Sequence, residues 1–169
     1  MEITHQDKVE AKIVIRKFRS KKAVDGVFYN LCFAILAPQT TFKSNRKVVE
    51  ILKNNDFMNN DLPRANLETI VKHTRFYRQK TDRLLKAKMQ FGDVLINVLS
   101  NSETKVKRDF LVKNVCGLGM KAASHFLRNL GRRDLAIIDT HVLKFLDYDK
   151  PKNNKEYIEI EKKFEDISI

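Results

Sequence analysis

Two residues of this sequence are of the right type to make and manage a covalent bond. Lys121 follows a glycine-rich turn in VCGLGMKAASHF (115–126), and Asp139 ends the apolar run of LAIID (135–139). A lysine in the first turn of a helix is electrostatically mismatched, because the helix N-terminus already carries positive partial charge. That field, together with partial burial, favours the neutral amine, which is a nucleophile where the protonated form is not. Asp139 stands at the start of another helix. There it can cap that helix, accept a proton from the amine, or stabilise a developing oxocarbenium ion. The two residues are 18 apart. That is room for a helix of about ten residues, a turn, and an extended return that brings the acid back to the amine.

The turn before the lysine has its own chemistry. Gly117 and Gly119 flank an apolar residue, Leu118, between SETKVKRDFLVKNV and MKAASHFLRNLG, two helical stretches spanning about residues 103–130. Glycines at both places let the backbone turn sharply and leave amides unobstructed. Those amides, with the N-terminus of the second helix, can point at a phosphate oxygen. Val115 and Leu118 anchor the turn to the core, and Ala122, Ala123 and Ser124 keep the surface behind Lys121 small. The bland alternative is an ordinary helix–helix turn with glycine caps and a solvated lysine.

The elements around this unit read as helical. Val27, Phe28, Leu31, Cys32, Ile35 and Leu36 recur at the three–four spacing of a buried helix face, and Pro38 ends that helix. Thr40 or Thr41 caps the next, with Val48, Val49, Ile51 and Leu52 on its apolar side. Residues 54–66 read as a loop or a loop with one short turn, and 67–91 as a short helix, a turn near Thr74 and a longer basic helix. Leu95, Ile96, Val98 and Leu99 extend the helical content up to a cap at Asn101 or Ser102. Gly131 closes the hairpin's second helix as a C′ glycine. After Pro151 a final helix carries Tyr157, Ile160 and Phe164 on one face, and the chain stops with that face barely used. The expected class is all-α, with eight or nine helices and no internal repeat.

Composition narrows the partners. The 169 residues hold 33 Lys+Arg against 21 Asp+Glu, a net charge of +12, with 43% hydrophobic residues. That is a globular chain with a large excess of one sign, which fits a polyanion such as DNA better than a need for solubility. A ribosomal protein or a membrane-surface binder fits the charge alone. Two cysteines, Cys32 and Cys116, cannot supply a four-thiolate cluster and read as small buried thiols of a reduced protein. No apolar run approaches the roughly 18 residues that cross a bilayer, and the charged N-terminal stretch lacks a signal-peptide core. The expectation is a soluble cytoplasmic protein without a targeting signal.

The combination NVCGLGMKAASHFLRN…IIDTHVLKFL resembles the helix–hairpin–helix DNA glycosylases, the superfamily of endonuclease III. Within it, GLGMKxASHFLRN and RFYRQK (75–80) are most similar to the small archaeal-type 8-oxoguanine DNA glycosylases, the second Ogg family. The likeness runs from about residue 25 to residue 148. It implies a single unit of two helical lobes over residues 1–169. It also implies a monomer that acts on damaged double-stranded DNA at the nucleoid. In that family Lys121 would be the nucleophile and Asp139 its acid–base partner. Gly117, Leu118, Gly119 and Met120 would bind phosphate through the main chain. Gln39, in LAPQTT (36–41), would fill the space left by an extruded base, or simply hydrogen-bond a helix terminus. Phe76 would stack on the flipped purine, or be a core phenylalanine. No redox cofactor or catalytic metal is implied, only a monovalent cation at the hairpin carbonyls. The family's C-terminal segment, which helps enclose the base, runs past the end of this chain. A short variant, an incomplete sequence or a more open pocket would each explain that. Excision of another base, such as an oxidised pyrimidine, and a non-catalytic DNA-binding module remain as rival functions.

Overall fold

The structure, a computed structural model, describes residues 24–167; the charged N-terminal stretch lies outside the described residues. Among them the chain is all-α, with nine helices: α1 (Val24–Leu36), α2 (Phe42–Asn54), α3 (Arg64–Val71), α4 (Tyr77–Met89), α5 (Phe91–Leu99), α6 (Thr104–Asn114), α7 (Met120–Asn129), α8 (Thr140–Leu146) and α9 (Asn154–Ile167).

Helix α1 is apolar almost all round, which marks a helix surrounded by others. It packs against α2, α4, α5 and α7, and Phe28 and Leu31 on it are fully buried. It ends before Pro38, and Thr41 caps α2, its Oγ1 accepting the Ser44 N–H at 3.2 Å. Two boundaries differ from the sequence expectation. Residues 64–66 are helical, the helix entered from Pro63 at φ −53 and ψ 141 with no side-chain cap. Helix α6 starts from Glu103 without a side-chain cap, while the Ser100 and Ser102 hydroxyls bond each other at 2.7 Å. Helix α7 closes in a Schellman motif at Gly131, φ 96, with Arg132 N–H donating to Leu127 O at 3.1 Å.

Buried residues form two cores. The larger joins α1 to α7; the smaller gathers Met120, Ile138, Leu143, Tyr157 and Ile160, with Phe164 packed against it. The apolar face of α9 is therefore used, contrary to expectation: it closes the second core. One buried ion pair crosses between the helices of the two cores. Arg108 on α6 donates to Glu161 on α9 at 2.6 Å and to Ser124 Oγ at 3.2 Å. Cys32 is buried, but Cys116 is exposed at the hairpin turn, so only one thiol matches the reading of two buried ones.

Candidate active site

A cleft of about 640 Å³ opens between the two cores, and the hairpin forms its floor. One wall is the α1–α2 turn with Pro38 and Gln39; the other comes from Ile138, Thr140, Leu143 and Tyr157. Gly117, Gly119, Met120 and Lys121 line it from below.

The two glycines serve different ends. Gly117 has φ +92, which favours glycine, and a Cβ there would stand 2.6 Å from Arg83 Cδ, so the flexible Arg83 side chain would also have to shift. Gly119 is extended, at φ −94 and ψ 178, and a Cβ on it would meet nothing within 4 Å. Its bareness is not demanded by the fold, and it leaves the α7 N-terminus open to the cleft. Val115 and Leu118 are buried as expected and anchor the turn.

Lys121 is the second residue of α7 and is exposed, so the partial burial anticipated for it does not occur. The small residues behind it also divide differently. Ala123 and Ser124 face the interior, and only Ala122 lines the cleft. Asp139 caps α8, its Oδ1 accepting His141 N–H at 2.9 Å and Val142 N–H at 3.0 Å. Those bonds, the Val142 one foremost, hold its carboxyl below the ordinary carboxylate range, and the Lys121 charge adds to the effect. The residues on either side, Ile138 and Thr140, line the cleft. Asp139 itself does not line the cleft, but the chain returns near enough for the Lys121 charge to act on its carboxyl. The physical support of that return is Tyr157, whose hydroxyl accepts the Ile138 N–H at 3.1 Å beside Asp139.

Gln39 lines the cleft opposite Lys121, exposed and left-handed at φ 53. Phe76 is neither in the core nor against the cleft. It is 49% exposed, left-handed at φ 59, with the Arg75 guanidinium 5.2 Å from its ring centre. Stacking on a base beside Lys121 therefore finds no support in its position.

Three features escaped the sequence reading. His125 lies one helical turn after Lys121 and lines the cleft; burial, with the Arg128 and Lys121 charges, keeps its imidazole neutral at pH 7. The four-residue spacing alone put it on that face. Arg83 lies over Gly117, and Lys80 is buried against the Gln39 turn, its ammonium pushed down to about 8 by burial and by Arg83. Neither long-range placement leaves a sequence signal. Among the described residues no three His, Cys, Asp or Glu side chains gather as metal ligands, and no helix is long and apolar enough to cross a membrane.

The chain is similar in sequence and fold to known proteins. An 8-oxoguanine DNA glycosylase family model matches residues 10–169. The 8-oxoguanine DNA glycosylase/AP lyase of Methanocaldococcus jannaschii is 36% identical, over 90% of this chain and 77% of its own length. Its namesake in Thermoplasma acidophilum is 35% identical over 91% and 78%. The crystal structure of the M. jannaschii enzyme in complex with a 15mer DNA containing 8-oxoguanine superposes with a TM-score of 0.83 at 35% identity. That match covers 96% of this chain and 82% of that one. The Thermotoga maritima 8-oxoguanine DNA glycosylase gives 0.78 at 25% identity, covering 93% and 81%. With a family model spanning nearly its full length and relatives of this identity, the chain belongs to the helix–hairpin–helix 8-oxoguanine DNA glycosylase family.

Proposed function

We propose that this protein removes 8-oxoguanine from DNA in base-excision repair and then cleaves the abasic site, with Lys121 as nucleophile and Asp139 as its acid–base partner. The observation that supports the assignment of residues is that Lys121 lines the cleft and its charge acts on the Asp139 carboxyl, between two residues that line it. An exposed primary amine stands on the first turn of α7, and its charge reaches a carboxylate whose Oδ2 makes no hydrogen bond among the described residues.

The steps follow from these groups. The hairpin amides grip a backbone phosphate, and the lesion leaves the stack at a cost of a few kcal/mol. Lys121 first gives its ammonium proton to solvent. The free amine attacks C1′, and the bond from C1′ to the base nitrogen breaks, its electron pair leaving with the base, which takes a proton from water. Asp139 stabilises the cationic sugar as that bond opens and takes the proton from the attacking amine. Ring opening gives a Schiff base to Lys121. Loss of a C2′ proton then expels the 3′ phosphate and nicks the strand, and water releases the enzyme. Lysine Schiff-base chemistry draws on no cofactor. The net charge of +12 supports a place on chromosomal DNA.

Incubation with an 8-oxoguanine duplex and borohydride tests the reading. A covalent protein–DNA complex is expected, and Lys121→Gln should abolish it. Equal trapping by Lys121→Gln would move the nucleophile elsewhere, and stronger trapping on thymine glycol would reassign the base.

A further inference from the structure

The turn that carries Gln39 is built against its own sequence preference. Thr40 N–H donates to Ala37 O at 3.1 Å, closing a four-residue turn with Pro38 second and Gln39 third. Proline suits the second place. A left-handed third place normally goes to glycine or asparagine, because a Cβ is crowded there. Flipping the central Pro38–Gln39 peptide by about half a turn would return Gln39 to the right-handed region with the ends unmoved. It would also swing the Pro38 carbonyl round and re-aim the Gln39 side chain.

What opposes that flip arrives from helix α4. Lys80 is buried, and its Nζ donates to Pro38 O at 2.8 Å and to Thr40 Oγ1 at 2.5 Å. The two acceptors stand on either side of Gln39, and the first belongs to the peptide that would rotate. Among the described residues no carboxylate pairs with this ammonium, and the charge that acts on it is that of Arg83, of like sign. Burying an ammonium without a counter-charge is unfavourable, and a methionine would fill the same space without that cost. Packing therefore does not account for a lysine here. A strained backbone persists only where its surroundings over-determine it. At Gln39 the Thr40 hydroxyl donates to Pro38 O at 3.4 Å, and the shorter bonds to both groups come from Lys80.

We propose that Lys80 is a positioning residue, clamping the Pro38 carbonyl and the Thr40 hydroxyl so that Gln39 stays left-handed at the wall of the cleft. From there it fills the space an extruded base leaves. This second half rests on reading Gln39 as that filler.

Lys80→Met, with its fold checked by circular dichroism and melting, separates the two halves. In nitrogen-15 NMR of the free full chain, the Gln39 and Thr40 amide signals should broaden or double in Lys80→Met, while those of α7 stay in place. Unchanged Gln39 and Thr40 signals would overturn the clamp. Single-turnover excision is then followed on a duplex with 8-oxoguanine opposite cytosine, 2-aminopurine beside the lesion reporting unstacking. Cleavage of a preformed abasic site in the same duplex is the comparison. Gln39→Ala and Lys80→Met should each slow excision about ten-fold, and abasic cleavage by less, with the double variant no slower than Gln39→Ala. If Gln39→Ala leaves excision intact, the filler reading fails while the clamp is judged by the NMR alone. If Gln39→Ala is slow but the two effects multiply, Lys80 does not act through Gln39 and the positioning role is overturned.

Discussion

Asp139 binds two backbone amides through Oδ1 and leaves Oδ2 without a hydrogen bond among the described residues, so its capping and proposed chemical duties can be separated by substitution. Asparagine caps a helix about as well as aspartate, whereas alanine costs about 1 kcal/mol. Asp139→Asn should therefore melt close to the wild type, and Asp139→Ala about 2–4 °C lower. Both should lose about 10²–10⁴-fold in excision, because neither offers a carboxylate. Thermal melts beside single-turnover rates check the pair, and an Asp139→Asn enzyme of full activity would leave capping as the residue's only role. Acid adds a second test. The folded-state pKa of Asp139 is lowered, so its stabilisation is present above the ordinary carboxylate range and is lost as pH falls through the folded value. Asparagine does not titrate. The melting temperature of wild type relative to Asp139→Asn should fall, never rise, as pH drops from neutrality through the carboxylate range.

At the level of elements, the hairpin's two glycines predict opposite outcomes for one change. Gly117→Ala places a Cβ on a left-handed residue and into Arg83, and should cost about 1–2 kcal/mol or more. Gly119→Ala meets nothing, so its loss of stability should stay below about 1 kcal/mol while its methyl crowds the amides offered to phosphate. Denaturant midpoints and DNA affinity at fixed salt distinguish them; a Gly119→Ala protein with unchanged affinity would remove this rim from the DNA contact. The hairpin, the caps at Thr41 and Asp139, and the buried face of α1 were legible because each depends on residues within a turn or two of one another. The use of α9 was not. Its apolar face looked idle until Met120 and Ile138, both upstream in sequence, supplied the partners. The same distance hid Lys80, whose acceptors lie about 40 residues away. Exposure hid the rest: Ile96 and Leu99 have the spacing of a core face yet stand 72% and 64% exposed. Apolar periodicity says that a face exists, and only the fold says whether anything covers it.

The whole molecule depends on how its two cores are fastened, because the cleft lies between them. Arg108 and Glu161 are 2% and 1% exposed, and their bond ties α6, beside the hairpin, to α9 of the smaller core. Tyr157, whose ring centre lies 5.9 Å from the Arg108 guanidinium, holds the backbone next to Asp139. Such a pair adds little over apolar residues of similar size, yet losing one partner leaves a buried charge unmatched. Arg108→Met should therefore lower stability by about 3–5 kcal/mol, and adding Glu161→Met should recover most of it. Urea unfolding of the three proteins reads this directly, and a double variant no more stable than Arg108→Met would refute it. Excision should not recover in parallel. The restored protein has regained its packing but has lost the guanidinium that bonds Ser124 and lies beside Tyr157. The Ile138 backbone, and with it Asp139, is then less firmly placed against Lys121. A fall in kcat at restored stability would show that the buried pair sets the geometry of the cleft as well as the strength of the fold.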